Sequence, residues 1–176
     1  TGMLDRFREG WRYIKDNESV MFIIIFFAIS MLPMGALPIL NIVLIKEVLE
    51  FGPGGYGLLM TINGLGLICG TVMVGKVAKR YSELTIMIAG VGLLGLSYAL
   101  FALNNFFFLG IVIIFIMGII STCINVGYGT FLQKAVDEEV RGRVFSIDIA
   151  MGNVIGIISM SLAGFLGDTF GIVRVM

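Results

Sequence analysis

The sequence contains no histidine, and charged residues make up only 14% of its 176 positions, against about 25% in ordinary globular domains. A metal site built from His and Cys clusters would have almost no ligands to draw on. The formal net charge is zero, whereas nucleic-acid binding requires a basic face. We therefore expect no metal, no cofactor, no catalytic residue and no nucleic-acid partner.

Cysteine is also scarce. The only two, Cys69 and Cys123, each lie inside an uncharged stretch, and no CxxC pair occurs. Isolated thiols in such surroundings behave as small apolar residues. Redox chemistry therefore has no support in the sequence.

Long runs without charge are abundant instead. Four runs contain no charged residue, and a fifth contains only Asp148. Each reaches the roughly 20 residues that an α-helix needs to cross about 30 Å of hydrocarbon. We predict an all-α membrane protein, a bundle of five transmembrane helices plus the start of a sixth. The predicted bundle occupies residues 19–176, with spans at about 19–45, 56–75, 84–103, 106–133 and 144–167 and a truncated span from about 169.

Residues 1–18 form a segment of a different kind. Apolar residues recur at helical spacing between charged ones, with Phe7, Trp11 and Ile14 among them. This pattern is typical of an amphipathic helix that lies along a membrane surface. An ordinary solvated helix of a preceding domain is the alternative.

Basic residues fall mainly on one side of the predicted membrane. All but Lys46 and Arg174 of the 12 Lys and Arg residues lie in the first segment or in the turns on that side. Such an asymmetry marks the cytoplasmic face. We therefore expect a multi-pass protein of the cell inner (plasma) membrane with its N-terminal segment in the cytoplasm.

Polar residues and prolines within the spans are candidates for a substrate cavity, because a polar group in hydrocarbon must face a neighbour or a cavity. Pro33 and Pro38 should kink or partly break the first span, and broken helices at mid-depth point to transporter binding sites. A passive kink and simple interhelical hydrogen bonds remain the alternatives. The third span has no amide, so we expect it at the periphery. The cavity candidates are Pro33, Met34, Asn63, Ser121, Thr122, Asn125 and Asn153.

Asp148 is the only acid within a predicted span. Paired with a cation it would form a cytoplasmic gate, whereas in a cavity it would carry protons. Its shallow position near several cations favours the ion pair. The candidates for this gate are Lys76, Lys79, Arg80, Arg141, Arg143 and Asp148.

Glycines spaced four residues apart occur in two spans, as Gly66 with Gly70 and Gly152 with Gly156. Small residues at this spacing let membrane helices approach closely. We predict that both pairs pack against neighbouring helices, either in a fixed contact or in one that slides.

Three segments resemble transporters of the major facilitator superfamily. They are the amphipathic residues 8–14, the turn at residues 75–80 and the stretch R-G-R-V-F-S at residues 141–146. The similarity is closest to the branch that contains enterobactin exporters and macrolide efflux pumps, and it covers essentially the whole chain. It implies the C-terminal half of a twelve-helix fold, with the N-terminal half missing from this chain. The turn at residues 75–80 lacks the acid of the family signature.

The resemblance implies a secondary active transporter, not an enzyme. We expect proton-coupled export of a small amphiphilic compound, such as a drug or siderophore, by alternating access. Its partners would be membrane lipid, this substrate and the missing half. The alternative is a non-transporting membrane subunit that docks a partner through its small-residue helix faces.

Overall fold

The computed structural model describes residues 3–43, 53–104 and 106–170, and across these residues it contains α-helices and no strands. An uncharged run has no polar face to present to water, so its helix is stable only in an apolar surrounding. The helices are α1 (Met3–Asp16), α2 (Glu18–Val43), α3 (Pro53–Val77), α4 (Glu83–Ala102), α5 (Phe107–Ala135) and α6 (Glu138–Phe170).

Within the described residues, four helices are long and apolar enough to cross a membrane. They contribute the stretches Gly57–Val77, Glu83–Phe101, Phe108–Ala135 and Glu138–Leu162. In α2 the apolar stretch over which the structure describes the side chains is shorter, Glu18–Ser30. The predicted all-α class is confirmed, and the apolar helices are consistent with a membrane fold.

The helices pack as two groups. In the first group α5 lies between α3 and α4, and in the second α6 lies against both α2 and α1. The two groups meet where α2 and α6 touch α5. We call the end that carries α1 and the α3–α4 and α5–α6 turns the basic end, because most Lys and Arg residues lie there.

Two apolar clusters hold these groups together. One lies within the first group and includes Leu59, Leu94 and Met117. The other lies at the basic end and joins α1, α2, α4, α5 and α6. Its buried members are Ile14, Val20, Ile23, Ile24, Met87, Tyr128, Leu132, Val136, Val144 and Ile147.

The third predicted span, α4, lies at an edge of the bundle, as expected. It packs mainly against α5 and leaves Ile88 and Leu96 more than half exposed. However, α3 is just as one-sided, with Ile68 and Val72 exposed on the face away from α5. The lack of amides therefore does not distinguish α4 from α3 by position.

Two predicted interruptions are not seen. The helix α2 is continuous through Pro33 and Pro38, so the partial break is absent. In hydrocarbon there is no water to compete for the freed backbone groups, and neighbouring groups can satisfy them.

Likewise, the turn expected around Gly167 is helical, and α6 continues to Phe170. A lone glycine costs a helix only about 1 kcal/mol. Most of the truncated sixth span, residues 171–176, lies outside the described residues.

Candidate functional site

Tyr128 is one of the side chains that join the two helix groups. It lies on α5 and is only 6% exposed. Its ring stacks on that of Phe27 from α2, with the ring centroids 3.8 Å apart and the planes 7° from parallel. Its hydroxyl donates a hydrogen bond to Oδ1 of Asp148 on α6. One residue therefore connects three helices.

A cavity of about 270 Å³ opens beside this connection, between α2 and α6. Its wall is mostly apolar and carries one carboxylate and one amide. The two polar residues are five positions apart on α6, which places them about 7.5 Å apart along the helix axis. The lining residues are Phe27, Ala28, Asp148, Ile149, Met151, Gly152 and Asn153.

The expected ion pair of Asp148 is not formed in this structure. The carboxylate accepts from Tyr128, whereas Arg143 forms an ion pair with Glu9 of α1. Arg141 donates from Nη2 to the carbonyl oxygen of Val136 at 3.2 Å. The physical reason is helical geometry. Five residues at 100° each turn Asp148 about 140° away from Arg143, so the two point to different faces of α6.

The other gate candidates are not brought to Asp148 either. Lys76, Lys79 and Arg80 lie at the end of α3 and in the turn after it, and all are exposed. None of the three forms an ion pair with any residue that the structure describes. The gate predicted from sequence is therefore not assembled in this conformation.

Two of the cavity candidates instead connect α3 to α5. Asn63 donates from Nδ2 to the carbonyl oxygen of Ile114 at 3.3 Å. Thr122 donates from Oγ1 to the carbonyl oxygens of Leu67 at 3.1 Å and Gly118 at 3.2 Å. The bonds to Ile114 and Leu67 are the interhelical hydrogen bonds named as the alternative, whereas Gly118 lies on the same helix as Thr122. Both polar groups are therefore satisfied away from the cavity.

The remaining cavity candidates are dispersed. Asn125 is exposed and donates to the carbonyl oxygen of Ser121 on its own helix at 2.8 Å, and Ser121 is half-buried. Asn153 lines the cavity with Asp148. The side chains of Pro33 and Met34 lie outside the described residues. Of the five candidates whose side chains the structure describes, Asn153 alone lines the cavity described above.

The glycines of α3 lie directly on α5. A Cβ at Gly66 would stand 2.3 Å from the carbonyl oxygen of Phe115, and one at Gly70 would stand 2.7 Å from Cβ of Thr122. Opposite them, a Cβ at Gly118 would stand 2.5 Å from the carbonyl oxygen of Asn63. This face is covered by the chain itself and is not open to another subunit.

The second glycine pair is placed differently. Gly152 lines the cavity. Within the described part of the chain, nothing lies within 4 Å of the position that a Cβ on Gly156 would take. The structure therefore shows no tight helix contact at Gly156.

Sequence reasoning missed Tyr128, the ion pair of Glu9 with Arg143 and the ion pair of Lys134 with Glu83. A signal existed for the first, because a tyrosine hydroxyl in hydrocarbon needs a partner and Asp148 is the only acid within the spans. The pairing of Lys134 with Glu83 follows only once α4 and α5 are known to be antiparallel neighbours.

Comparison with known proteins agrees with this architecture at the level of the family. A sequence profile of the Major Facilitator Superfamily matches residues 17–176, which include all of α2 to α6. No curated protein and no solved structure gave a match, so the predicted enterobactin and macrolide branch is not confirmed. The members of this family are multi-pass membrane transporters and not enzymes. On the strength of a match over nearly its whole length, the chain belongs to the Major Facilitator Superfamily.

Proposed function

We propose that the chain is the C-terminal half of a proton-coupled exporter, which moves a small amphiphilic compound such as a drug or siderophore out across the inner membrane. The observation that carries this proposal is the linked set of Phe27, Tyr128 and Asp148 beside the cavity between α2 and α6.

The chemistry of the cavity supports an amphiphilic substrate. Met151 and Phe27 give it a polarisable apolar wall, which adapts to varied shapes. Asp148 and Asn153 supply the few polar contacts that orient a ligand in such a site. A compound with an apolar body and one polar or cationic group matches this lining.

Asp148 is the proposed proton carrier. As a carboxylate it accepts a charge-assisted hydrogen bond from Tyr128, and such bonds are about twice as strong as neutral ones. Protonation weakens this bond and thereby loosens α6 from α5. The same residue faces the cavity, so proton and substrate act on one contact between the helix groups.

Alternating access would follow from rocking of this half against the other around the cavity. The distribution of Lys and Arg supports a cytoplasmic location for the basic end and for α1. Loosening Asp148 from Tyr128 near that end would then open or close the cavity toward the cytoplasm.

The test uses the transporter in proteoliposomes, with ethidium as the probe substrate and an imposed pH gradient. Asp148→Asn keeps the size of the side chain but cannot exchange a proton. We expect this variant to lose pH-driven ethidium transport and to retain energy-independent ethidium exchange.

Asp137→Asn is the matched control, because Asp137 is an exposed acid in the α5–α6 turn. It should transport as the unmodified protein does. Full pH-driven transport by Asp148→Asn would overturn the assignment of Asp148. Absence of any ethidium exchange by the unmodified protein would count against the substrate class.

A further inference from the structure

A second cavity lies next to the first along α6, and the two share Met151. It is a groove of about 320 Å³ between α1 and α6. Its wall is formed by apolar and aromatic side chains. The lining residues are Phe7, Trp11, Ile147, Ala150, Met151, Val154 and Ile155.

The groove follows from how α1 is docked. Gly10 lies so close to α6 that an added Cβ would stand 2.9 Å from Cδ1 of Ile147. On one flank of this contact, Glu9 forms its ion pair with Arg143. On the other flank, Phe7 and Trp11 remain 53% and 47% exposed and overhang α6. Phe7 and Trp11 thus leave apolar surface exposed on this side of α1.

Cations border the same flank. Arg8 and Arg12 each follow a groove residue by one position, which places them about 100° further round α1 than Phe7 and Trp11. Both are exposed, and neither has an ion-pair partner within the described part of the chain. Lys15 extends this stripe. The apolar groove therefore has positively charged side chains of α1 next to it.

The wall of the groove on α6 belongs to a membrane-crossing stretch. Ala150 and Val154 lie within Glu138–Leu162 and are exposed. In a membrane, acyl chains meet this surface. An indole ring such as that of Trp11 is favoured at the level of the lipid headgroups.

We propose that this groove is a binding site for an anionic glycerophospholipid. One acyl chain lies between α1 and α6, against Ala150 and Val154. The phosphate lies beside Arg8 and Arg12. Apolar burial and charge attraction act together here, which is the combination by which amphipathic helices select anionic lipids. Binding would hold α1 on α6.

Trp11 gives a direct readout, because it is the only tryptophan in the chain. The protein is reconstituted in phosphatidylcholine vesicles that contain increasing fractions of a lipid with brominated acyl chains, which quench tryptophan on contact. We expect brominated phosphatidylglycerol to quench Trp11 at a lower fraction than brominated phosphatidylcholine does.

Removal of the charges should remove this preference. Arg8→Gln and Arg12→Gln should each reduce the selectivity for phosphatidylglycerol by about fivefold. The matched control is the double variant Lys79→Gln with Arg80→Gln, which removes two exposed cations from the α3–α4 turn. It should keep the preference.

A side chain that fills the groove should reduce the contact of both lipids with Trp11. Ala150→Phe places a ring in the proposed acyl position, and since Ala150 is exposed, the melting temperature should not fall. We expect quenching of Trp11 to decrease with both brominated lipids. This variant tests the acyl chain separately from the headgroup.

Three results would overturn the proposal. Equal quenching by the two lipids would show an unselective lipid shell. An unchanged preference in the arginine variants would place the headgroup elsewhere. No quenching by either lipid would show that protein covers the groove.

Discussion

The two helix groups are built in opposite ways. In the group of α3, α4 and α5, the backbones of α3 and α5 meet closely at Gly66 and Gly118, and the Ile124 side chain packs against Gly90. The polar side chains between α3 and α5 satisfy carbonyl groups of the facing helix. In the group of α1, α2 and α6, a cavity and a groove remain between the helices. The two groups are joined by Tyr128 and by the apolar cluster at the basic end.

This difference indicates which helix contacts can change at a low cost in free energy. Packing between backbones leaves no slack, because a shift drives atoms of one helix into the other. A stacked ring and a hydrogen bond to a carboxylate can break and re-form. We therefore interpret the first group as the rigid body and the joint at Tyr128 as the place where the second group moves.

The largest effect should come from breaking the rigid group. Gly66→Ala places a methyl group 2.3 Å from a backbone oxygen of α5, which cannot move alone. We expect a loss of about 3 kcal/mol in stability. The melting temperature of the protein in detergent should fall by about 6–12 °C.

Two other glycines sharpen this test. Gly64→Ala lies on the same helix with nothing within 4 Å, so it should be neutral or stabilising. Gly90→Ala would meet a side-chain atom, Cγ1 of Ile124, at 2.5 Å, and the side chain can shift. Its cost should be intermediate, about 1 kcal/mol. Equal losses in all three variants would contradict the backbone explanation.

A smaller effect should follow from breaking the joint. Tyr128→Phe keeps the stack on Phe27 and removes the hydrogen bond to Asp148. We expect a loss of about 1–2 kcal/mol, since a half-buried carboxylate is left without its donor. Pulsed hydrogen exchange should show faster opening of α6 while α3 and α5 keep their protection.

Tyr98→Phe is the matched control for this change. Tyr98 is half-buried on α4, and no hydrogen bond joins it to another described residue. The substitution should leave both stability and exchange unchanged. If α3 and α5 opened as readily as α6 in Tyr128→Phe, the division into a rigid and a mobile group would be wrong.

The smallest effect should come from the ion pair that flanks α1. Its members are Arg143, whose side chain is 33% exposed, and Glu9, whose side chain is 55% exposed. Such pairs contribute about 0.2–1 kcal/mol. Glu9→Gln should therefore lower the melting temperature by only a few degrees at most.

High salt should reproduce this change, because screening weakens exposed pairs. The hydrogen bond from the backbone N–H of Asp137 to the Tyr13 hydroxyl, at 3.1 Å, should keep α1 docked without the ion pair. Loss of α1 docking in Glu9→Gln, seen as a shift in Trp11 emission, would show that this ion pair is the main attachment.

Much of the fold was predictable from the sequence. The uncharged runs correspond to helices α2 to α6, because length and apolarity alone decide which segments can cross hydrocarbon. The amphipathic pattern likewise corresponds to α1. The positions at which the helices begin and end were less predictable. α6 begins at Glu138, six residues before the predicted span, because a helix can extend beyond the membrane with its charged residues in water.

The site was predictable only in its parts. Asp148 and Asn153 were singled out as polar residues in an apolar run, and both line the cavity. The partner of Asp148 was not foreseen, since pairing depends on which face of α6 meets which face of α5. A count of nearby cations along the chain carries no such information.

The sequence by itself therefore determined that this protein is a bundle of membrane helices, since that follows from local composition. Only the tertiary structure decided that Asn63 and Thr122 bond across α3 and α5, that Asp148 accepts from Tyr128, and that Gly66 faces a backbone. Those outcomes depend on helix rotation and neighbour order, which contacts between distant segments select together.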